Sequence, residues 1–328
     1  LIGTLVLILI AAELFTNALE HLGQALKISE GVTGSLFAAV GTALPETMIP
    51  LIAVFAGSTS DNIGEEIGVG AILGAPLMLS TLTLSLMGLG VVGREAGTTL
   101  KPEPVGLHRD LHFFLIAFIL ATLAMFVPEQ IRALRILISV ALASLYLVYI
   151  LATLKASKAL VEQGHGTHSE GRLALSLIGL GTSLRSILAQ MAIAVALLLA
   201  GAQGFIHAIE GVASAIGLSP LLLSLLLVPL ATELPEKINS IRWIRRGRDT
   251  LAFGNVTGAM VFQGTLLPAI GILLTPWTAR REVLGGVCVT LLGAAWLRLH
   301  ARQDGVKASW LVANGALYIL YLGYQLTR

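Results

Sequence analysis

Two glutamates directly follow a proline in otherwise apolar stretches, Gly41-Thr42-Ala43-Leu44-Pro45-Glu46 and Ala231-Thr232-Glu233-Leu234-Pro235-Glu236. That pairing has a chemistry. Proline carries no backbone N–H and clashes with the preceding helical turn, so carbonyl oxygens upstream lose their donors. Freed carbonyls and a carboxylate together suit a hard cation such as Ca2+. Two bare carboxylates brought close repel each other unless a divalent cation or a proton sits between them. Thr42 and Thr232 lie four residues before each glutamate, on the same helix face. Their hydroxyls either add oxygens to the site or bond back to their own helix. Glu233 has no counterpart in the first copy, where Ala43 stands. It lies four residues before Lys237, the order that favours a helical ion pair; a third cation ligand or a proton carrier are the other readings.

Weaker polar features surround this core. Glu13, Asn17 and Glu20 form one stripe on the first helix, either an ion path or a helix end at the interface, and His207 and Glu210 stand in the matching part of the second half. Asn255, Thr257 and Gln263 mark the eighth helix; Gln263 is placed to reach the site, while its counterpart is Leu79. His108 and His112 share a helical spacing but fall in a loop and first turn, so metal binding there is not expected, nor at His165, His168 and Glu170. Glu65 and Glu66 cap a helix start or draw cations to an entrance. Arg242, Arg245, Arg246 and Arg248 anchor a helix end.

The elements that must position these groups are membrane spans. Hydrophobic residues are 55% of the 328 and charged residues only 12%, against roughly 25% charged in a soluble chain. That share cannot coat a soluble protein, which excludes an ordinary cytosolic enzyme and a disordered chain. The net charge of +2 gives no reason to expect a nucleic-acid partner. The single cysteine, Cys288, excludes a disulfide framework and a thiolate cluster. No basic start followed by an A-x-A site stands at the front, so no cleavable signal is expected. Apolar runs of about 20 residues place helices near 2–26, 31–57, 64–92, 111–127, 131–154, 183–209, 218–244, 250–276, 282–299 and 308–325. With the N-terminus outside, the inside loops carry Lys27, Arg94, Lys101, Arg109, Lys155, Lys158, Arg172, the Arg242–Arg248 group, Arg298, Arg302 and Lys307. The outside segments keep only Arg132, Arg135, Arg280, Arg281 and Arg328. The positive-inside rule favours that orientation, with both termini extracytoplasmic in the plasma membrane.

The halves repeat in register. Besides the two motifs, Ser29 and Ser219 match, as do Glu20 and Glu210; Gly70–Ala75 matches Gly254–Ala259, and Leu145–Tyr149 matches Leu317–Tyr321. Five helices per half make the second half enter the membrane in the opposite sense, the inverted repeat of secondary transporters. The expected fold is an all-α polytopic membrane protein of ten transmembrane helices in two inverted five-helix repeats. Residues 1–154 form the first repeat, 155–182 a flexible cytoplasmic linker containing GHGTHSEG, and 183–328 the second repeat. Six glutamates fall within the spans, Glu13, Glu20, Glu46, Glu210, Glu233 and Glu236, with Lys237 the one clear base. Such groups inside a membrane are costly and usually functional.

The two motifs, each followed by a Gly-rich helix, resemble the repeats of the cation/Ca2+ exchanger superfamily, the sodium/calcium exchanger family being the nearest branch. The similarity is strongest from Ala231 to Gln263, including Arg246-Gly247-Arg248-Asp249 and Gly254-Asn255-Val256-Thr257-Gly258. It implies Ca2+ bound between Glu46 and Glu236 with Thr42 and Thr232, and alternating access driven by Na+ or H+, with the first and sixth helices sliding over a core. Family members carry Ser where Ala43 and Glu233 stand, and G-S-N motifs where Gly74-Ala75-Pro76 and Gly258-Ala259-Met260 stand; the acid after the second becomes Gln263. The hydroxyl, amide and carboxylate groups of the family's sodium sites are thus replaced, which leaves Na+ and H+ both open. The expected function is a cation antiporter with no cofactor, no protein partner, and inorganic cations and the lipid bilayer as its surroundings. The alternatives are an antiporter of another cation coupled to protons, and a cation channel or sensor without coupled exchange. HExxH, paired aspartates and Ser/His constellations are absent from the sequence, so no enzyme activity is expected.

Overall fold

Long apolar runs fold into helices throughout the computed structural model, which describes residues 1–25, 44–55, 63–92, 94, 98–161, 172–217 and 219–327. In chain order these are α1 Ile2–Ala25, α2 Leu44–Phe55, α3 Ile63–Met78, α4 Leu84–Leu89, α5 Pro104–Ala124, α6 Arg132–Val161, α7 Leu184–Ile216, α8 Pro220–Thr232, α9 Leu234–Arg245, α10 Asp249–Leu274, α11 Arg281–His300 and α12 Ala308–Leu326. A π turn over Leu79–Thr83 runs α3 into α4, and a 3-10 turn covers Ala174–Ile178. The strands β1 Thr99–Leu100 and β2 Val306–Lys307 pair antiparallel, Thr99 opposite Lys307. Among the described residues six helices are long and apolar enough to cross a bilayer: Ile63–Leu89, Pro104–Ala124, Arg132–Thr153, Leu184–Ala215, Asp249–Leu274 and Arg281–His300. Helices satisfy their backbone groups internally, which a lipid environment demands.

Element ends differ from the sequence reading in three places, the first being α7, which runs on to Ile216 where the reading ended at 209. The expected span 218–244 is parted into two helices at Glu233, within the 231–235 stretch where the sequence marks a broken helix. The helix expected from 111 starts at Pro104 instead. Glu103 caps it, Oε1 accepting from Val105 N at 2.8 Å and Oε2 from Gly106 N at 2.6 Å, and Pro104 fits a first helical position. The third difference concerns residues 155–182. Residues 155–161 continue α6, and Leu173 is fully buried against Ala18 and Ile187. The GHGTHSEG stretch lies outside the described residues.

The chain forms two compact units, residues 1–64 with 150–217, and 65–149 with 218–328. In the first, α1 and α7 pack along their lengths. Gly201 permits the approach, since a Cβ there would lie 2.9 Å from Ile8 Cγ1; small residues are how membrane helices come close. Asn17 ties the pair to the 3-10 turn. Its Oδ1 accepts from Ala174 N at 3.1 Å and Gln190 Nε2 at 2.9 Å, and its Nδ2 donates to Arg172 O at 3.2 Å.

In the second unit α3 lies against α8 and α5 against α10. Pro229 offers no donor to Leu225 O, and α3 comes up against that carbonyl. A Cβ on Gly74 would sit 2.1 Å from Leu225 O, and one on Gly70 1.9 Å from Ser224 Oγ. Beyond Pro76 the helix widens into the π turn, where the buried Asn314 of α12 donates Nδ2 to Ser80 O at 3.0 Å and to Gly293 O at 3.2 Å. The turn between α9 and α10 is held by Arg94. Its guanidinium reaches Asp249 Oδ1 at 2.5 Å and Oδ2 at 3.1 Å, Ile244 O at 3.2 Å and Thr99 O at 3.2 Å. Lys101 N donates to the same carboxylate at 2.7 Å. At another point Arg280 pairs with Glu66 in the first turn of α3.

Candidate cation site

The second motif builds a polar centre inside the second unit. Pro235 has no N–H to donate to Ala231 O, and α8 stops at Thr232 while α9 starts at Leu234. Glu233 stands at the break with φ −90° and ψ 6°. Its N–H still bonds Pro229 O at 3.2 Å, and its own carbonyl accepts from Lys237 N at 3.0 Å. The break therefore shifts the helix without releasing those two bonds.

The side chains here pair rather than stand open. Lys237 Nζ donates to Glu233 Oε2 at 3.1 Å and to Pro229 O at 3.0 Å. Gln263, on α10, donates Nε2 to Glu233 Oε1 at 3.3 Å. Glu233, Lys237 and Gln263 are each at most 3% exposed. Gln263 Oε1 is buried with no hydrogen-bond partner among the described residues. Of the readings open for Glu233, an ion pair with Lys237 is the contact observed, and it carries Gln263 with it. Burying an ion pair costs several kcal/mol per charge unless hydrogen bonds satisfy what remains, and the Pro229 carbonyl and the Gln263 amide supply two of them.

The other candidates distribute as follows. Thr232 is buried and its hydroxyl bonds back to Val228 O at 3.2 Å. Asn255 donates to Ser240 Oγ of α9 at 3.2 Å, linking α9 to α10. Glu46 sits in the first turn of α2, 5% exposed. Thr42 and Ala43 lie outside the described residues, as do the side chains of Glu236 and Glu20. On α1, Glu13 is exposed and Asn17 is used in the tie to the 3-10 turn. His207 is exposed, and one carboxylate oxygen of Glu210 is buried without a partner among the described residues. His112 bonds Arg298. Among the described residues no three His, Cys, Asp or Glu side chains gather into a metal-holding cluster.

One buried acid escaped the sequence reading. Asp110 is 3% exposed, two turns into α5. It accepts from Thr257 Oγ1 of α10 at 2.8 Å and from Arg109 Nη2 at 3.3 Å. Arg109 in turn lies 5.9 Å over the ring of Tyr149. A helix start at 111 had put Asp110 in a loop. The proline at 104 was the available signal.

A sequence model described as sodium/calcium exchanger protein matches residues 1–155 and 186–327. The chain belongs to that family. This exchanger is 25% identical over 326 residues to the "Putative antiporter CaxA" of Alkalimonas amylolytica, covering 98% of this chain and 95% of that one. It is 24% identical over 335 aligned positions to the inner membrane protein YrbG of Escherichia coli (strain K12), covering 100% and 96%. Its fold is that of two solved exchangers. One is the H+/Ca2+ exchanger CAX, with a TM-score of 0.76 at 20% identity, covering 97% of this chain and 80% of that one. The other is the sodium-calcium exchanger NCX_Mj, with a TM-score of 0.60 at 20% identity, covering 98% and 97%. The exchanger is therefore a multi-pass membrane protein whose polar centre lies at a proline-broken helix.

Proposed function

We propose that this exchanger is a secondary active antiporter that moves Ca2+ against Na+ or H+ by alternating access. Glu46 and Glu236 hold the cation between them, and Thr42 and Thr232 face it. The proposal includes ten helices arranged as two inverted five-helix repeats, 1–154 and 183–328, joined through 155–182. It also places the protein in the plasma membrane with both termini extracytoplasmic. The observation that supports it most is the burial of Glu46, 5% exposed in a membrane protein at the motif position that Glu236 fills in the other half. A carboxylate kept inside a membrane is functional by default, and a symmetric pair of them suits a divalent ion. The relatives point the same way, since one is named an antiporter and the fold is shared with exchangers of Ca2+ for H+ and of Ca2+ for sodium.

Proteoliposomes test this. Ca2+ uptake driven in turn by a Na+ gradient and by a pH gradient identifies the counter-ion, and uptake that continues without either makes the protein a channel. Glu46→Gln and Glu236→Gln are each expected to lower Ca2+ uptake by about 100-fold or more, which is about 2.7 kcal/mol. Undiminished uptake in either variant ends the assignment.

A further inference from the structure

Lys237 lies where oxygens converge, and oxygens converge where cations bind. Its ammonium takes the Pro229 carbonyl at 3.0 Å and the Glu233 carboxylate at 3.1 Å. The Gln263 amide is fixed to the other carboxylate oxygen at 3.3 Å, and its own Oε1 is buried and unpartnered among the described residues. A carboxylate, a main-chain carbonyl at the C-terminal end of a broken helix and an amide oxygen are the ligands from which transporters make monovalent-cation sites. The carbonyl end of α8 adds its negative partial charge. With at most 3% exposure for Glu233, Lys237 and Gln263, bulk solvent does not reach the charges, so a missing positive charge is poorly screened.

We propose that Lys237 is a tethered cation: its ammonium fills a monovalent-cation position made by Glu233, Pro229 O and Gln263, so that exchange runs with one fewer mobile monovalent ion than that position would otherwise bind. This rests on the antiport reading above. It names which site of the exchange is filled permanently and by what. A purely structural ion pair would make no such demand, because removing its lysine would weaken the fold without creating a need for any ion.

The test compares wild type, Lys237→Met and the double variant Glu233→Gln/Lys237→Met. Each is purified in detergent and melted in choline chloride and in NaCl, with LiCl and KCl as further arms. Removing the lysine leaves Glu233 buried and unbalanced, and a free ion is then expected to take its place. Lys237→Met should gain about 4 °C more than wild type gains on passing from choline to NaCl, at roughly 100 times the dissociation constant of the vacated position; the double variant should gain no more than wild type. In proteoliposomes the Hill slope for Na+ should rise by about one in Lys237→Met and return in the double variant. A Lys237→Met protein whose melting responds to the four salts no more than wild type's does overturns the proposal. So does one whose stability follows pH but not the alkali cation, since a proton has then filled the place. If Lys237→Met is not recovered in any salt, Lys237→Ala is purified with and without methylammonium. Recovery by methylammonium supports the proposal and failure to recover overturns it. Wild type that exchanges no Ca2+ would defeat the antiport reading alone, because the melting comparison does not depend on transport.

Discussion

Arg94→Met tests how the region around the candidate site is held. Arg94 and Asp249 are 4% and 5% exposed in their side chains, and the pair is two-pronged, at 2.5 and 3.1 Å. The same guanidinium binds the carbonyls of Ile244, in the last turn of α9, and of Thr99 in β1. Methionine keeps much of the apolar stem but removes every one of those donors. Asp249 would retain the Lys101 N–H at 2.7 Å and otherwise be a buried charge without its partner. Breaking one side of such a pair costs about 3–5 kcal/mol, which in a chain of 328 residues lowers the melting midpoint by roughly 4–7 °C. Fluorescence-monitored unfolding in detergent measures it. Asp249→Leu alone and Arg94→Met/Asp249→Leu together complete a cycle, and the double variant is expected to be more stable than the sum of the singles by about 2 kcal/mol. A loss under about 1 kcal/mol for Arg94→Met, or additive singles, would refute the argument that this contact locks α9 to α10.

Other substitutions test separate contacts. Gly74→Val puts a Cβ 2.1 Å from Leu225 O, so α3 and α8 cannot close as they do, and the yield of monodisperse protein on size-exclusion chromatography should collapse; Ser85→Ala, whose hydroxyl makes only a 3.4 Å bond to Val312 O, should change little. Asn17→Ala strips three hydrogen bonds between α1, α7 and the 3-10 turn. It is expected to cost about 1–3 kcal/mol, read as earlier proteolysis near residue 172. Thr257→Val leaves Asp110 Oδ2 without its 2.8 Å donor and should lower stability by about 1–3 kcal/mol, measured by thermal melting.

The break between α8 and α9 was legible because its cause is local: Pro235 and its missing N–H can be read off the chain. The spacing of Glu233 and Lys237 is local too, one helical turn. What the sequence did not disclose depends on distant partners. Asn17 meets Arg172 and Gln190 across 155 and 173 positions, and no periodicity carries such a match. Asp110 was lost through one misplaced helix start, because a seven-residue shift moved it from α5 into a loop. Residues 172–178 read as linker by composition, yet Leu173 had a pocket between Ala18 and Ile187 to fill. Polar composition describes a segment's own residues and says nothing of the surface waiting for them.

The π turn at Leu79–Thr83 sets a phase. One surplus residue within a helix advances everything after it by about 100° and 1.5 Å. Ahead of the turn, Gly70 and Gly74 face α8; after it, Ser85 and Gly88 face α12, where a Cβ on Gly88 would meet Ala308 O at 2.8 Å. Deleting a single residue between 79 and 83 would restore regular winding and swing the second half of the helix off its partner. Conservative substitutions at the same positions would leave the phase untouched. The length of this segment is thus constrained more tightly than its composition.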